Sequence, residues 1–416
     1  MRTTWYPAVG ELERRARALA ASAPGALRLG AVGESRAGRP LWLLSAGHGE
    51  RQILTVAGAH ANEPVGGASS LRLAALLARR PALLQRLDCT WHFLLCLDPD
   101  GAHLAQGWAP REPEPSLEEC HRHFYRPAFA RQPESLPVQD APGPPVPPMP
   151  ESATLVRLLD ELRPVAQFTL HGIEFGGAFA MLTRPVPGAG QAFRDTAARL
   201  RVPLDHHPCD GPDWLPEPPG VLLLPGDRGG SERDPSGFTA ESTWLHPRKY
   251  GTLTTLVEAP AWGVPGVSDP RPAPDPERAV ARVAEVLLGR ARDLAAVLGD
   301  PGADAVPDDL LPLRDAAREL IEVAPSVAAT WTAEELSGSR GHFATLGIAA
   351  RRIPLRAASM MRRALARTDP RTADVLGDLV REWCQELEKT YEPVWLPVPA
   401  QTGLHVRTML DIARRV

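Results

Sequence analysis

Lysine is nearly absent from this sequence. Lys249 and Lys389 are the only two in a set of 46 basic residues, and the rest are arginine. Against 50 acidic residues the formal net charge is −4. That balance excludes a general attraction to nucleic acid or to an anionic membrane. No apolar run approaches the ~20 residues of a membrane span. The N-terminus, "MRTTWYPAVGELERRARAL", lacks the apolar centre of a signal peptide and reads as a charged helix. Five cysteines, odd in number and scattered, do not make a disulfide framework. These absences lead to the expectation of a soluble protein in a reducing, cytoplasmic compartment.

What is present is a long chain with an ordinary apolar content. It has 416 residues, 44% of them hydrophobic, and 45 prolines that predict many rigid loops. The pattern predicts a helix over 9–23 and then two strands, "LRLGAVGES" and "RPLWLLSAG", around a turn at Arg36 to Gly38. A third strand, "ILTVAGAH", precedes the helix "ASSLRLAALLARR". "DCTWHFLLCLDPDG" is a buried strand ending in a Pro-Asp-Gly turn. Residues 132–150 read as a proline-rich surface loop. "ESATLVRLLDELR" is helical, "VAQFTLHG" and "GGAFAMLTRP" are strands, 190–200 is a helix, and "GTLTTLVEAP" is the last clear strand. From Glu277 the pattern is helical, interrupted by Pro and Gly, with the first helix expected to pack on the sheet.

Alternating strands and helices predict an α/β layered domain, and ligands of such sheets gather at the carboxyl ends of the strands. The notable side chains fall there. His60 and Glu63 follow one apolar strand, His171 follows a second, and Glu258 ends a third. A His-x-x-Glu pair on a tight turn can share one ion, and catalytic zinc takes three ligands from His and carboxylate. A second such pair, His171 and Glu174, competes with the first. "DHHPCD" offers a weaker metal candidate, because adjacent histidines in extended chain face opposite ways.

The order and wide spacing of His60, Glu63, His171 and Glu258 resemble those of the M14 zinc carboxypeptidases. "YPAVGELERRARALA" is similar to the family's opening helix, and "AVGESRAGRPLWLL" to its hairpin. "AGAHANEP" is similar to its first metal motif and "LDPDG" to its Asn-Pro-Asp-Gly turn. "TLHG" resembles the third-ligand strand, and "LTTLVEAPAWG" the strand of its catalytic Glu. The resemblance spans roughly Trp5 to Leu298.

It implies a three-layer α/β/α sandwich with a mixed, mostly parallel sheet in residues 1–300, and leaves 301–416 as a helical C-terminal region. It implies one zinc per chain on His60, Glu63 and His171, with Glu174 outside the ligand set. Glu258 is then the general base that activates the zinc-bound water, and its apolar neighbours Leu256, Val257, Ala259 and Pro260 favour a raised carboxyl pKa. Arg111 is the candidate for polarising the scissile carbonyl, with Arg126 as rival. Arg122 and His121 are the candidates for gripping a substrate carboxylate.

The sequence departs from the family pattern at several places. His121 and His123 stand where the family has Asn, and Asp98 replaces the Asn of the turn. Tyr250 is the only tyrosine near the place of the family's mobile Tyr, while Phe238 and Trp244 hold the closer register.

The function implied is a zinc-dependent hydrolase that cleaves an amide or peptide bond beside a free carboxylate. Its partners are then a small peptide or acyl-amino acid, with no nucleic acid and no membrane. The alternatives are an N-acyl amino acid deacylase resembling aspartoacylase and succinylglutamate desuccinylase, or a non-catalytic binding module on the same scaffold. The amphipathic tail, as in "VLGDLVREWCQELEKTY", needs a surface to cover, either the hydrolase domain or a second copy of the chain in a homo-oligomer.

Overall fold

The computed structural model describes residues 4–108, 115–137, 147–209, 215–216, 220–224, 242–299, 306–331 and 338–416. The chain opens with helix α1 (Val9–Ser22), which buries Leu12 and Ala16. Strands β1 (Leu27–Glu34) and β2 (Pro40–Ala46) form an antiparallel hairpin. Its turn uses Gly38 at φ +73°, a left-handed conformation that glycine adopts without steric cost. Strand β3 (Arg51–Ala57) leads into α2 (Val65–Arg79) and the short α3 (Pro81–Leu87), and strand β4 (Cys89–Leu94) into α4 (Pro99–Leu104). After α5 (Leu117–His121) and α6 (Pro150–Leu162) come β5 (Ala166–His171), β6 (Phe175–Gly176), β7 (Phe179–Leu182) and α7 (Ala189–Leu200). Strands β8 (Leu215–Pro216), β9 (Val221–Leu223), β10 (Leu253–Glu258) and β11 (Trp262–Gly263) follow.

Nine strands make one mixed sheet in the order β1-β2-β4-β3-β5-β10-β7-β9-β8. Its centre, β4-β3-β5-β10, is parallel. Both faces are covered, so these strands are apolar on both sides, as parallel strands generally are. Ile53 faces a cluster with Leu73 and Leu77 of α2, whereas Leu54 and Val56 face Leu155, Leu158 and Leu159 of α6. The architecture is the expected three-layer α/β/α sandwich. α2 sits close to the sheet because Gly66 lacks a Cβ, which would meet the Leu170 carbonyl at 2.8 Å.

The C-terminal part is helical, as expected: α8 (Pro276–Leu298), α9 (Leu311–Glu322), α10 (Ala324–Thr330), α11 (Arg340–Leu365), α12 (Pro370–Tyr391) and α13 (Val398–Ala413). Three details differ from the sequence reading. α8 packs on α9, α10, α11 and α12 instead of on the sheet, because its buried Leu287, Ala291, Leu294 and Leu298 meet apolar residues of those helices. α11 continues through Pro354 without ending, held by burial along most of its length. A two-residue strand, β12 (Val394–Trp395), pairs with β11, which pairs in turn with β6, so the tail adds the third strand to a small sheet separate from the main one. The last helix returns to that layer. α13 lies on α2 and α7, and its Leu404, Met409 and Ile412 share the core of Ile53 and Trp91. Among the described residues no helix is long and apolar enough to cross a membrane.

The turn after β4 carries an unusual carboxylate. Asp98 is fully buried and caps α4, its Oδ1 accepting from the Gly101 N–H at 2.8 Å while Oδ2 has no partner. Burial pushes its pKa up from 3.8 to about 7, against the pull of the Gly101 hydrogen bond. Near neutrality this side chain is half protonated and resembles a neutral amide. The folded state holds a proton that the unfolded state gives up above pH 3.8, so stability falls as pH rises from about 4 to about 7 and stays low above that. Asp98→Asn removes the penalty. The variant is expected to melt higher than wild type at pH 8, by a stability gain on the order of a few kcal/mol, and to match it at pH 4. Melting curves at the two pH values check this, and equal behaviour at pH 8 refutes it.

Candidate metal centre

The three adjacent parallel strands β3, β5 and β10 end level with one another. His60 and Glu63 lie in the turn between β3 and α2, closed by the Glu63 N–H donating to the His60 carbonyl at 3.1 Å. The turn leaves the strand through Gly58 at φ +61°, where a Cβ would also press on Cys96 Sγ at 2.9 Å. His171 is the last residue of β5. Glu258, the last residue of β10, is its register partner, so the two side chains leave the same face of the sheet at the same end.

His60, Glu63 and His171 are all buried and together offer ligand atoms within 4.8 Å of one another, the one such group of three among the described residues. His60 Nδ1 is 2.9 Å from Glu63 Oε1, His171 Nδ1 is 2.9 Å from Glu63 Oε2, and the two Nδ1 atoms are 3.2 Å apart. Zinc with ligand distances of ~2.0–2.1 Å has a tetrahedral edge of about 3.3 Å, so the donor set fits a zinc ion. Two imidazole nitrogens and a carboxylate turned toward one point are also better satisfied by a cation than by each other.

The electrostatics agree. Burial would raise the Glu63 pKa, but the two histidines beside it hold it well below the usual carboxylate range. For His171 burial works downward and is outweighed by Glu134 and Glu63, which raise its pKa well above that of a free imidazole. His60 is lowered, by burial first and then by the Arg126 guanidinium.

Two residues join the cluster that the sequence reading did not place there. Arg126, named only as a rival to Arg111, donates from Nη1 to Glu63 Oε1 at 3.1 Å and from Nη2 to His60 Nε2 at 3.2 Å. Glu134, inside the segment read as a surface loop, is fully buried with Oε2 3.3 Å from His171 Nε2. Burial would raise its carboxyl, but His171, His60 and the Thr169 hydroxyl hold it at about 2. Trp244 meets His171 edge to face at 5.9 Å between ring centres. A cleft beside the cluster is lined by Gly58, His60, Glu63, Cys96, Gln106 and Trp108.

Other expected site residues lie elsewhere. Arg122 is an exposed residue after α5, paired with Glu118 one helical turn back at 2.6 Å, and does not face the cluster. His121 is core: it is fully buried, bonded to the Leu117 carbonyl at 2.9 Å and packed on Trp108, Phe124 and Phe175. Burial pushes its pKa down to about 4, so it is a neutral ring among aromatics. Tyr250 precedes β10, at the opposite end of the strand from Glu258, and donates to Asp160 at 2.9 Å. Arg111 and Phe238 lie outside the described residues. In "DHHPCD", His207 stacks on His342 at 5.1 Å, and Asp210 lies outside the described residues.

The second His-x-x-Glu pair is split by the tail. Glu174 turns away from the metal cluster and is gripped through both oxygens by Arg356 of α11, with Nε to Oε1 at 2.7 Å, while Arg352 lies 3.9 Å away. Burial would raise Glu174, but Arg356 and then Arg352 hold it at about 2. Glu63→Gln is therefore expected to lose stoichiometric zinc, measured by elemental analysis. Glu174→Gln is expected to keep its zinc and to lose ~3–5 kcal/mol of stability, the usual effect of stranding one partner of a buried pair. The opposite result, with zinc lost only in Glu174→Gln, reverses the ligand assignment.

No curated protein matches the chain. Solved structures do. A candidate metallopeptidase from Shewanella denitrificans is 15% identical over 61% of this chain and 81% of its own, with TM-score 0.41. A metallo-carboxypeptidase from Burkholderia cenocepacia is 15% identical over 60% of each chain, with TM-score 0.37. Carboxypeptidase A from Helicoverpa armigera is 13% identical over 62% of this chain and 65% of its own, with TM-score 0.39. The family model Peptidase_M14, zinc carboxypeptidase, matches residues 12–172, the segment that contains His60, Glu63 and His171. The part of the chain that is similar to the M14 zinc carboxypeptidases is thus the part that carries the three converging side chains.

Proposed function

We propose that the protein is a zinc-dependent hydrolase that cleaves an amide or peptide bond beside a free carboxylate. The observation that carries this reading is the meeting of His60, Glu63 and His171 at one point, with Glu258 as the register partner of His171 on the next strand. Zinc held by these residues supplies Lewis-acid polarisation of the scissile carbonyl and lowers the pKa of water toward ~7. Glu258 takes the proton of the attacking water and returns it to the leaving nitrogen. Arg126 is the arginine beside the ligand cluster and is partly exposed, so its planar fork is the group that meets a carbonyl or carboxylate oxygen of the substrate. Arg122, bound to Glu118 at the surface, has no part in this reading. The cytoplasmic setting expected from the sequence belongs to the same proposal. A panel of acyl-amino acids, and of peptides with free and amidated C-termini, distinguishes a carboxypeptidase from a deacylase.

The role of Glu258 is open to a direct test. Glu258→Gln keeps the shape of the side chain but cannot accept a proton as a carboxylate does. Zinc content is expected to stay at one per chain and substrate affinity to change little. The chemical step is expected to slow by at least the ~10²–10⁴ typical of a positioned general base. Single-turnover kinetics on the zinc-loaded variant give the number. Near-normal turnover with full zinc means that Glu258 is not the base.

A further inference from the structure

We propose that the C-terminal tail limits the length of the substrate: β12 and Trp395 close the strand-end site on the side of β6 and β11, so that a short N-acyl amino acid fits there and a longer peptide does not. This rests on the hydrolase reading above and deepens it by naming the substrate class.

The first observation is an occupied edge. The chain keeps its pairing past the ends of β5 and β10. The Ala259 N–H donates to the His171 carbonyl at 3.2 Å, that of Ala261 to Ile173 at 2.8 Å and that of Trp262 to Glu174 at 2.8 Å. β6 and β11 then pair in parallel as the small separate sheet. The outer edge of β11 is where an extended peptide could add as a further strand, held by main-chain hydrogen bonds. The tail already holds that edge. β12 runs antiparallel to β11 with Trp395 opposite Trp262, and the Leu396 N–H donates to the Ala261 carbonyl at 2.8 Å. Gln401 of α13 pins the segment, giving its Nε2 proton to the Leu396 carbonyl at 2.6 Å and accepting the Tyr6 hydroxyl at 2.5 Å.

The second observation is a dead-end cavity under this cap. Asn62, Glu63, Gly172, Trp262, Trp395 and Gln401 are among its walls, so it reaches the candidate ligand Glu63 on one side and the tail on the other. Its volume is about 20 Å³, close to what one water molecule needs. It can therefore take the end of a short group and nothing longer. The far wall is aromatic and braced: Trp395 meets Trp262 edge to face at 4.9 Å and Tyr6 at 6.1 Å. The polar wall is Asn62. It is 3% exposed, and neither its Nδ2 nor its Oδ1 has a partner among the described residues. A buried carboxamide left so is costly. The amide of a bound acyl-amino acid offers both the acceptor and the donor that it needs.

The test uses the full chain loaded with zinc. The probes are one amino acid carrying a formyl, acetyl, butyryl or octanoyl group, and a tetrapeptide ending in the same residue. kcat/KM is measured for wild type and Trp395→Ala, and dissociation constants for the same probes on Glu258→Gln with and without Trp395→Ala. Wild type is expected to lose ~10-fold or more in kcat/KM from the acetyl to the octanoyl probe and to the tetrapeptide. Trp395→Ala is expected to raise the octanoyl-to-acetyl ratio by ~10-fold or more, in kcat/KM and in affinity alike. A merely structural role for Trp395 lowers all probes together and leaves that ratio unmoved. A flat series in wild type, or an unmoved ratio in folded Trp395→Ala, overturns the proposal. If Trp395→Ala does not fold, Trp395→Leu carries the test. It lowers the wall while keeping an apolar contact with Trp262, and is expected to move the ratio in the same direction, while no movement overturns the idea. Cleavage of no probe by zinc-loaded wild type refutes the hydrolase reading itself, a separate result, because the dissociation constants still rank the probes by length.

Discussion

The parallel pairing of β3, β5 and β10 is the constraint on which the site depends. In register, Ala57 of β3 lies beside Leu170 of β5, and His171 beside Glu258 of β10. Residues 113 positions apart (57 and 170) and 87 apart (171 and 258) thus leave the sheet at one level and one end. The alternating pleat then decides the face. A one-residue slip of β10 would send Glu258 to the opposite face and bring Val257 or Ala259 beside His171. Tight registration requires both faces to be buried, and the two clusters on Ile53 and on Leu54 and Val56 provide that.

Burial of one of those faces depends on the end of the chain. α13 fills the space between α2 and α7, and its His405 is held to Ser69 of α2 at 3.0 Å. α11 delivers Arg356 into the α/β layer, where it removes Glu174 from competition with Glu63. A buried ion pair is weak support for stability, because desolvation of both groups offsets their attraction. Its value here lies in specificity. An unpaired Glu174 three residues after His171 would offer a second carboxylate to the ion, and Arg356 holds it through two hydrogen bonds facing elsewhere. The helical region is therefore tied to the chemistry by one side chain and to the sheet by one helix.

How much of this was legible in the sequence follows from the range over which each contact acts. The layered fold, most strand and helix positions, and the placing of His60, Glu63, His171 and Glu258 at or just after strand ends could be read because strand ends carry short local motifs. The roles given to Arg122, His121 and Tyr250 came from the resemblance alone, in segments where the sequence has no matching short motif. Arg122 instead completes an i,i+4 pair with Glu118, and Tyr250 sits at the wrong end of its strand. Glu134 was hidden for a different reason. Proline-rich composition predicts a surface loop, yet residues 132–134 are buried by hydrogen bonds to Pro127, Ser152 and Thr243, none of which has a pattern in sequence. Arg356 lies 182 positions from its partner Glu174, a contact that no local signal announces.

The charges around the cluster explain why it suits a cation at all. Glu63 and Glu134 stand on opposite sides of His171, and Arg126 closes the side of His60. Without a metal, the two carboxylates make His171 hold its proton despite complete burial, since their attraction outweighs the desolvation of the ring. That proton and the Arg126 guanidinium are the positive charges that keep two buried carboxylates ionised. A cation held by His60, Glu63 and His171 would bring further positive charge to the same point. The buried carboxylates at the ends of β3 and β5 are thus balanced by positive charge from the His171 ring and the Arg126 guanidinium, at the point where the three possible ligands converge.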